Sequence, residues 1–518
     1  MATEPSTPPA ASASAPTSAA SSRPSAAERP ALSTLERSAQ RAIGLLVVVV
    51  LVAAGLMLLR PEPGAATLNP APTPLTDRWL KPGPPAVAEG SVVDAAWWLP
   101  RDSHGVRVDE PPAWTMAKTI AEFAIGGLDR AGLPVSGFSA PHAVTAWCIG
   151  WTWAMVMWWA WSLSGPRAGW LAGLIALALP GFAALGREAH PAALWVGASA
   201  AASAAGIWAI RPMRPSPGLT RQAAGWVLCG LATGFACLTA GALGLAVVAW
   251  PLAVAIVLSP GRLSHGLGMA AAALVAALLV LPWVLTMSTV DPAAVARWWT
   301  GELAGLTDGA VPMGQWGSVR AISGMSWAAL ITLPWVAWVV VAWIQPFSTS
   351  SGVARGRLLV AWATVVGLGA AFVLLPAAES LRWAGWLAGV AVMLGVTFDR
   401  MFGEVEEGRR PRMWRLGSAV HGLALPIASV ALLTLGLAEA WLVQRGWLVG
   451  RVFTEVGAWR WWVTGSLLIV LSVVALLEAW ALSPRRAVLL WVCWVVVAMV
   501  GVLPAISGRP AIVFMYPP

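Results

Sequence analysis

The residues that could do chemistry in this chain are few. They concentrate in HGVRVDEPPAW at 104–114, where Asp109 and Glu110 stand against Pro111 and Pro112. A carboxylate can take a proton from a hydroxyl group. It can also cap a helix: proline suits a first helical turn, where its missing N–H needs no partner, and acids just before it are favoured by the helix dipole. Both readings stand for this acidic pair. Downstream, Trp114, Ala117, Ile120, Phe123 and Ala124 recur at helical spacing, so the prolines open a helix that lies along a surface.

Other polar candidates are scattered. Arg101 and Arg107 flank the acidic loop, and Arg187 caps the end of an apolar run. An arginine there either clamps a phosphate through its planar fork or reaches back to the interface from an apolar segment. Glu379 and Arg382 read as an exposed ion pair of little weight, or Arg382 joins the phosphate-binding set. His190, before Pro191, reads as a structural histidine at a helix start or as a proton carrier, and Glu439 snorkels outward or joins a site.

The elements that must hold these residues are membrane helices. The chain has 518 residues, 58% hydrophobic and 11% charged, with a mean hydropathy of +0.71. Its apolar runs are about twenty residues long without strict alternation, which predicts an all-α polytopic protein rather than a barrel. Beyond 42–59, read as an uncleaved first span, the runs fall near 142–163, 168–186, 191–210, 223–239, 241–258, 266–287, 326–344, 357–376, 381–398, 418–443, 462–482 and 487–506. That makes about thirteen crossings. Residues 1–40, rich in Ala, Ser, Pro and Thr, predict a disordered cytoplasmic tail. Residues 41–400 then form the main module and 401–518 a C-terminal set of helices.

Charge gives sidedness. Arg211, Arg214 and Arg221, then Arg355 and Arg357, then Arg400, Arg409, Arg410, Arg412 and Arg415, then Arg485 and Arg486 all fall in loops of one parity. Those loops are cytoplasmic by the positive-inside bias, which places the N-terminus inside and the long segment 60–141 outside. The same bias explains a sequence pI of 10.7 without nucleic acid, because no contiguous basic face is present. Cys148, Cys229, Cys237 and Cys493 lie inside apolar runs and suggest neither a disulfide frame nor a zinc site. Trp147, Trp151 and Trp158 share one helical face along the depth of a span, which assigns them to packing and anchoring.

An ordered set of motifs resembles glycosyltransferase family 39, which includes protein O-mannosyltransferases and lipid A aminoarabinose transferases. WWLPRDSHGVRVDEPPAW at 97–114 is similar to its first outer loop, W-L-x-P-x-x-x-G-x-x-x-F-E-K-P-P-L-x-Y-W. LGREAHPAALW resembles R-x-x-x-x-D-x-x-L, the stretch at 230–252 resembles G-L-x-x-G-L-A-x-L-T-K-G-P-x-G-L, and VLPWVL resembles a Leu-Pro-Trp closing a span. The resemblance implies the large membrane glycosyltransferase (GT-C) architecture. It also implies a sugar donor on polyprenyl phosphate, a lipid or protein acceptor, inverting displacement with a carboxylate base on the outer face, and no cofactor or metal. It points to Asp77 or Asp109 as base, Glu110 as positioning group, Arg101, Arg107, Arg187 and Arg382 on the donor phosphate, and Trp97, Trp98 and Trp114 against the sugar. The chain departs from the pattern at several positions. Asp77 is followed by KPGPP rather than a helix, the Glu-Lys of the first motif is Asp109-Glu110, and the second-motif aspartate and third-motif lysine correspond to Ala192 and Ala240.

These departures keep a second class open, a descendant without catalysis that serves as a membrane scaffold or lipid binder. A transporter would require charges buried at mid-membrane. The sidedness is directly testable: a single cysteine placed at Asp109 in a cysteine-free background should react with a membrane-impermeant maleimide from outside intact cells, and labelling only after lysis would refute it.

Overall fold

The computed structural model describes residues 101–102, 105–106, 112–131, 140–187, 191–211, 218–290, 292–293, 295–296, 298–299, 332, 334–349, 352–374, 383–409, 411–445, 458–481 and 483–502. The first predicted span and the N-terminal tail lie outside them. The only strands among these residues are β1 (Arg101–Asp102) and β2 (Gly105–Val106), an antiparallel pair with Arg101 opposite Val106.

The rest is helical. α1 (Pro112–Arg130) is followed by α2 (Ala140–Leu163), α3 (Pro166–Leu177), α4 (Pro180–Arg187), α5 (Ala192–Ile210), α6 (Leu219–Val257) and α7 (Arg262–Val290). After these come α8 (Val336–Ser348), α9 (Gly352–Leu374), α10 (Trp383–Glu406), α11 (Arg412–Gln444), α12 (Ala458–Trp480) and α13 (Pro484–Val502). Among the described residues, six helical segments are long and apolar enough to cross a membrane: Ala192–Ile210, Leu219–Val257, Arg262–Thr289, Gly385–Glu406, Arg412–Thr434 and Trp462–Trp480. α7 shows why these faces suit lipid: Leu263, Leu267, Leu274, Leu278, Leu281 and Leu285 recur every three, four or seven residues and are all exposed.

Three predicted runs take a different form. The run 168–186 is divided into α3 and α4 before Pro180, which cannot donate an interior helical hydrogen bond. The runs 223–239 and 241–258 form one element, α6, interrupted at Ala240 (φ −131°, ψ 19°) and Gly241 (φ 54°, ψ −135°). The interruption reverses the chain. Gly225 on the first arm meets Ala209 of α5 and Gly206 of α5 meets Leu252 on the second arm, so both far ends sit beside the same end of α5. Gly244 likewise packs on the backbone of Ala236.

α5 occupies the middle of the packing. Its sequence, AALWVGASAAASAAGIWAI, is mostly small residues, and nearly all of it is buried. Small side chains let helix backbones approach closely where no water exists to drive them together. Gly197 accordingly rests on Thr152 and the Cys148 carbonyl of α2. A second core is aromatic: Trp335, Trp338, Phe398, Trp414 and Trp491 contact one another or the fully buried His421 at centroid distances of 4.6–6.4 Å.

The arginine-rich ends are stapled by ion pairs. Arg167 donates through Nε to Asp399 Oδ1 at 2.5 Å and through NH1 to Glu406 at 2.8 Å. Ser164 donates to the other Asp399 oxygen at 2.8 Å, and Arg485 also pairs with Glu406. The start of α3, the end of α10 and the start of α13 are thereby tied together.

Gly241 is the position where the turn requires glycine. Its φ is left-handed, and a Cβ there would run into the Trp298 carbonyl oxygen. Gly241→Ala should lower the thermal midpoint in detergent by a strain of about 1–3 kcal/mol, while Ala240→Gly, at a position with negative φ, should stay close to the parent. Equal effects of the two substitutions would contradict the reversal.

Candidate functional site

The opposite end of the bundle gathers the segments that carry the motifs. One buried apolar cluster contains Ala113 from α1, Cys237 and Leu238 from the first arm of α6, and Val280, Trp283 and Met287 from α7. Leu194 from the start of α5 and Trp298 pack against it. The acidic-loop helix, the stretch around Ala192, the turn at Ala240–Gly241 and the Leu-Pro-Trp at 281–283 thus meet at one place. α10 begins there too, with Gly385 against the Trp195 ring. α4 ends at Arg187, one residue beyond Gly186, which lies 3.6 Å from Ile149 of α2 as measured from a Cβ built on it.

Of the residues singled out from sequence, Asp77, Trp97, Trp98, Arg107, Asp109, Glu110, His190, Glu379 and Arg382 lie outside the described residues. Arg101 lies in β1 and Arg187 is the last residue of α4. Trp114 is 3% exposed, so its indole is spent on packing α1 against the bundle and has no open face for a ring to stack on. Ala192 starts α5 and Ala240 sits in the α6 turn, so both positions are at this end.

On α1 the sequence reading missed the buried Lys118. The large apolar residues of α1 point away from the bundle: Met116, Ile120, Phe123 and Leu128 are 40–68% exposed. Its inward face carries Trp114, Thr115 and Lys118, the last 8% exposed. This is the arrangement of an interfacial helix, apolar side to lipid and polar side to protein. Lys118 is one of two lysines in the chain, a compositional oddity that could have flagged it. Glu122 follows one turn later, where an opposite charge four residues away is favourable. Its Oε2 is buried without a hydrogen-bond partner among the described residues. Burial pushes the Glu122 carboxyl above its ordinary range, and the positive charge of Lys118 opposes that shift. Thr119 donates to the Thr115 carbonyl, and Arg130 Nε caps the last turn through the Gly126 carbonyl at 2.9 Å.

The fold is that of the GT-C membrane glycosyltransferases, and the chain is an integral membrane protein. Two solved structures of ArnT from Cupriavidus metallidurans share it. The form bound to undecaprenyl phosphate matches at a TM-score of 0.59 and 19% identity over 92% of this chain and 79% of that one. The apo form matches at a TM-score of 0.57 and 18% identity over 81% of this chain and 70% of that one. No protein-family model matches the sequence, and no curated protein does.

The raised Glu122 carboxyl fixes the sign of a pH effect. The folded state holds that proton more tightly than the unfolded chain, so its burial costs nothing at pH values below the ordinary glutamate range and costs stability as pH rises through and above it. Glu122→Gln should therefore raise the thermal midpoint at pH 7–8, with the gain shrinking toward zero as the pH is brought down to about 4. A gain independent of pH would contradict the burial of the charge.

Proposed function

We propose that this chain is a membrane glycosyltransferase that moves a sugar from a polyprenyl-phosphate donor to a lipid or protein acceptor on the extracytoplasmic face. The convergence of four motif-bearing segments at the end of the bundle away from the ion-paired arginines carries the reading. It is supported by the likeness in fold to a protein whose structure was solved with undecaprenyl phosphate. The assignment to family 39, a cytoplasmic N-terminus and a bacterial inner membrane are parts of the same proposal.

In this reading Asp77 or Asp109 takes the proton from the acceptor hydroxyl as the new bond to the anomeric carbon forms. The bond from that carbon to the phosphate oxygen breaks, its electron pair leaves with polyprenyl phosphate, and configuration at the carbon inverts. Glu110 positions the acceptor. Negative charge grows on the departing phosphate, and cations fixed around it stabilise the transition state more than the ground state. Arg101, Arg107, Arg187 and Arg382 are assigned to that task, and Lys118, buried on the inward face of α1, joins them. Trp97 and Trp98 line the sugar, while Trp114 seats the helix that carries Lys118.

A second reading, a lipid-binding scaffold without catalysis, is favoured by Ala192 and Ala240. Transfer of radiolabel from an undecaprenyl-phosphate sugar separates the two. Under the first reading the parent transfers label, and Asp77→Asn or Asp109→Asn, whichever removes the base, slows transfer by about 10²–10⁴-fold. Lys118→Met should mainly weaken donor binding. A parent that binds undecaprenyl phosphate but transfers nothing would establish the scaffold.

A further inference from the structure

Beside the motif segments lies a group of rings that the assignments above do not use. Trp283 of α7 meets Trp298 edge-on at 4.6 Å between centroids, and Trp298 meets Trp299 at 5.6 Å. Trp283 is nearly buried at 9% exposure, whereas Trp299 is 40% exposed. The pair is seated against the α6 turn: a Cβ at Gly241 would run into the Trp298 carbonyl oxygen and crowd that of Trp299, so the left-handed glycine leaves room for their backbone. Trp298 also belongs to the packing around Ala113 and Leu194, so the rings stand where α1, α5, α6 and α7 converge. Finally, the Trp298 indole Nε1 is buried without a hydrogen-bond partner among the described residues.

We propose that Trp298 and Trp299, backed by Trp283, form the sugar subsite of the donor. This rests on the glycosyltransferase reading and deepens it by assigning the group that distinguishes a sugar-linked lipid from the bare lipid. A sugar ring has an apolar C–H face that packs on an indole and hydroxyl oxygens that accept from an N–H. Rigid aromatic surface with a few placed polar groups is the usual lining of a small-molecule site. Trp299 supplies the open surface and Trp298 the unused donor. Anchoring to the bilayer interface, the ordinary role of exposed tryptophan, needs a ring at the lipid boundary and explains neither the glycine-dependent seat nor the buried N–H.

The test uses the full chain in phospholipid nanodiscs, with binding read by native mass spectrometry. The probes are undecaprenyl phosphate alone and the same lipid carrying mannose or 4-amino-4-deoxyarabinose. The parent should bind at least one sugar-linked lipid about tenfold more tightly than the bare lipid. Trp299→Ala should abolish that preference while leaving the affinity for undecaprenyl phosphate unchanged. Trp298→Phe, which keeps a ring and deletes the N–H, should reduce the preference in part, and Trp299→Phe should retain most of it. Equal weakening of both kinds of lipid, no weakening of either, or a parent with no preference for a sugar-linked lipid overturns the subsite while the glycosyltransferase reading stands on its transfer assay. A parent that binds no undecaprenyl phosphate overturns both.

Discussion

Charge is costly in hydrocarbon, and the arrangement of this molecule follows from that cost. A group at the centre of a span is charged about 2.5–3.5 kcal/mol on insertion scales, so ionisable residues are expelled to the two ends of the helices. At one end the expelled charges neutralise each other: Asp399 and Glu406 are held by Arg167 and Arg485, and Arg400 by Glu404. At the other end the described residues offer a buried lysine, a half-buried glutamate and a cluster of indoles. The first end has the composition of a staple, in which Asp399, Glu404 and Glu406 are each met by an arginine.

What brings distant segments to that second end is the use of very small residues. α5 can be the common neighbour of α2 and α6 because its surface is alanine, glycine and serine, and the reversal at Gly241 returns the second arm of α6 to the same helix. Large side chains on α5 would hold these backbones apart and carry the motif segments away from one another. The geometry of the site is therefore set by residues that contain no functional group, some distance along the helices from the chemistry.

Much of this was legible in the sequence because a bilayer imposes a strong, simple pattern. Apolar runs marked most of the described helices, though α10 continues eight residues past the run 381–398 and α11 begins six residues before the run 418–443; Pro111 and Pro112 marked the start of α1, and TAG at 239–241 marked a break between two spans. The division of α3 from α4 was less visible, since it depends on one proline inside an uninterrupted apolar run. The site was only half legible. Ile120 and Phe123 lie about 120° and 180° around the helix from Trp114, so spacing separates them, but it does not say that lipid takes one side of the helix and protein the other. In a soluble protein Lys118 would be assigned to solvent by the same pattern, which is why its burial escaped notice. Trp298 and Trp299 escaped for another reason: among 35 tryptophans, only contact with the Gly241 turn sets them apart.

The losses at Ala192 and Ala240 then take on a different meaning. A phosphate bound where several helix ends converge needs positive charge within a few ångströms, but electrostatics does not specify which segment delivers it. Ala192 begins α5 and Ala240 lies in the α6 turn, and both border the cluster into which α1 packs. A lysine on the inward face of α1 reaches the same region from another wall. Under the proposed function, Lys118 buried on α1 supplies a cation at this end, where Ala192 and Ala240 supply none. Under that function the spatial convergence of the segments is the physical requirement, and the residue at any one position is one of several ways to meet it.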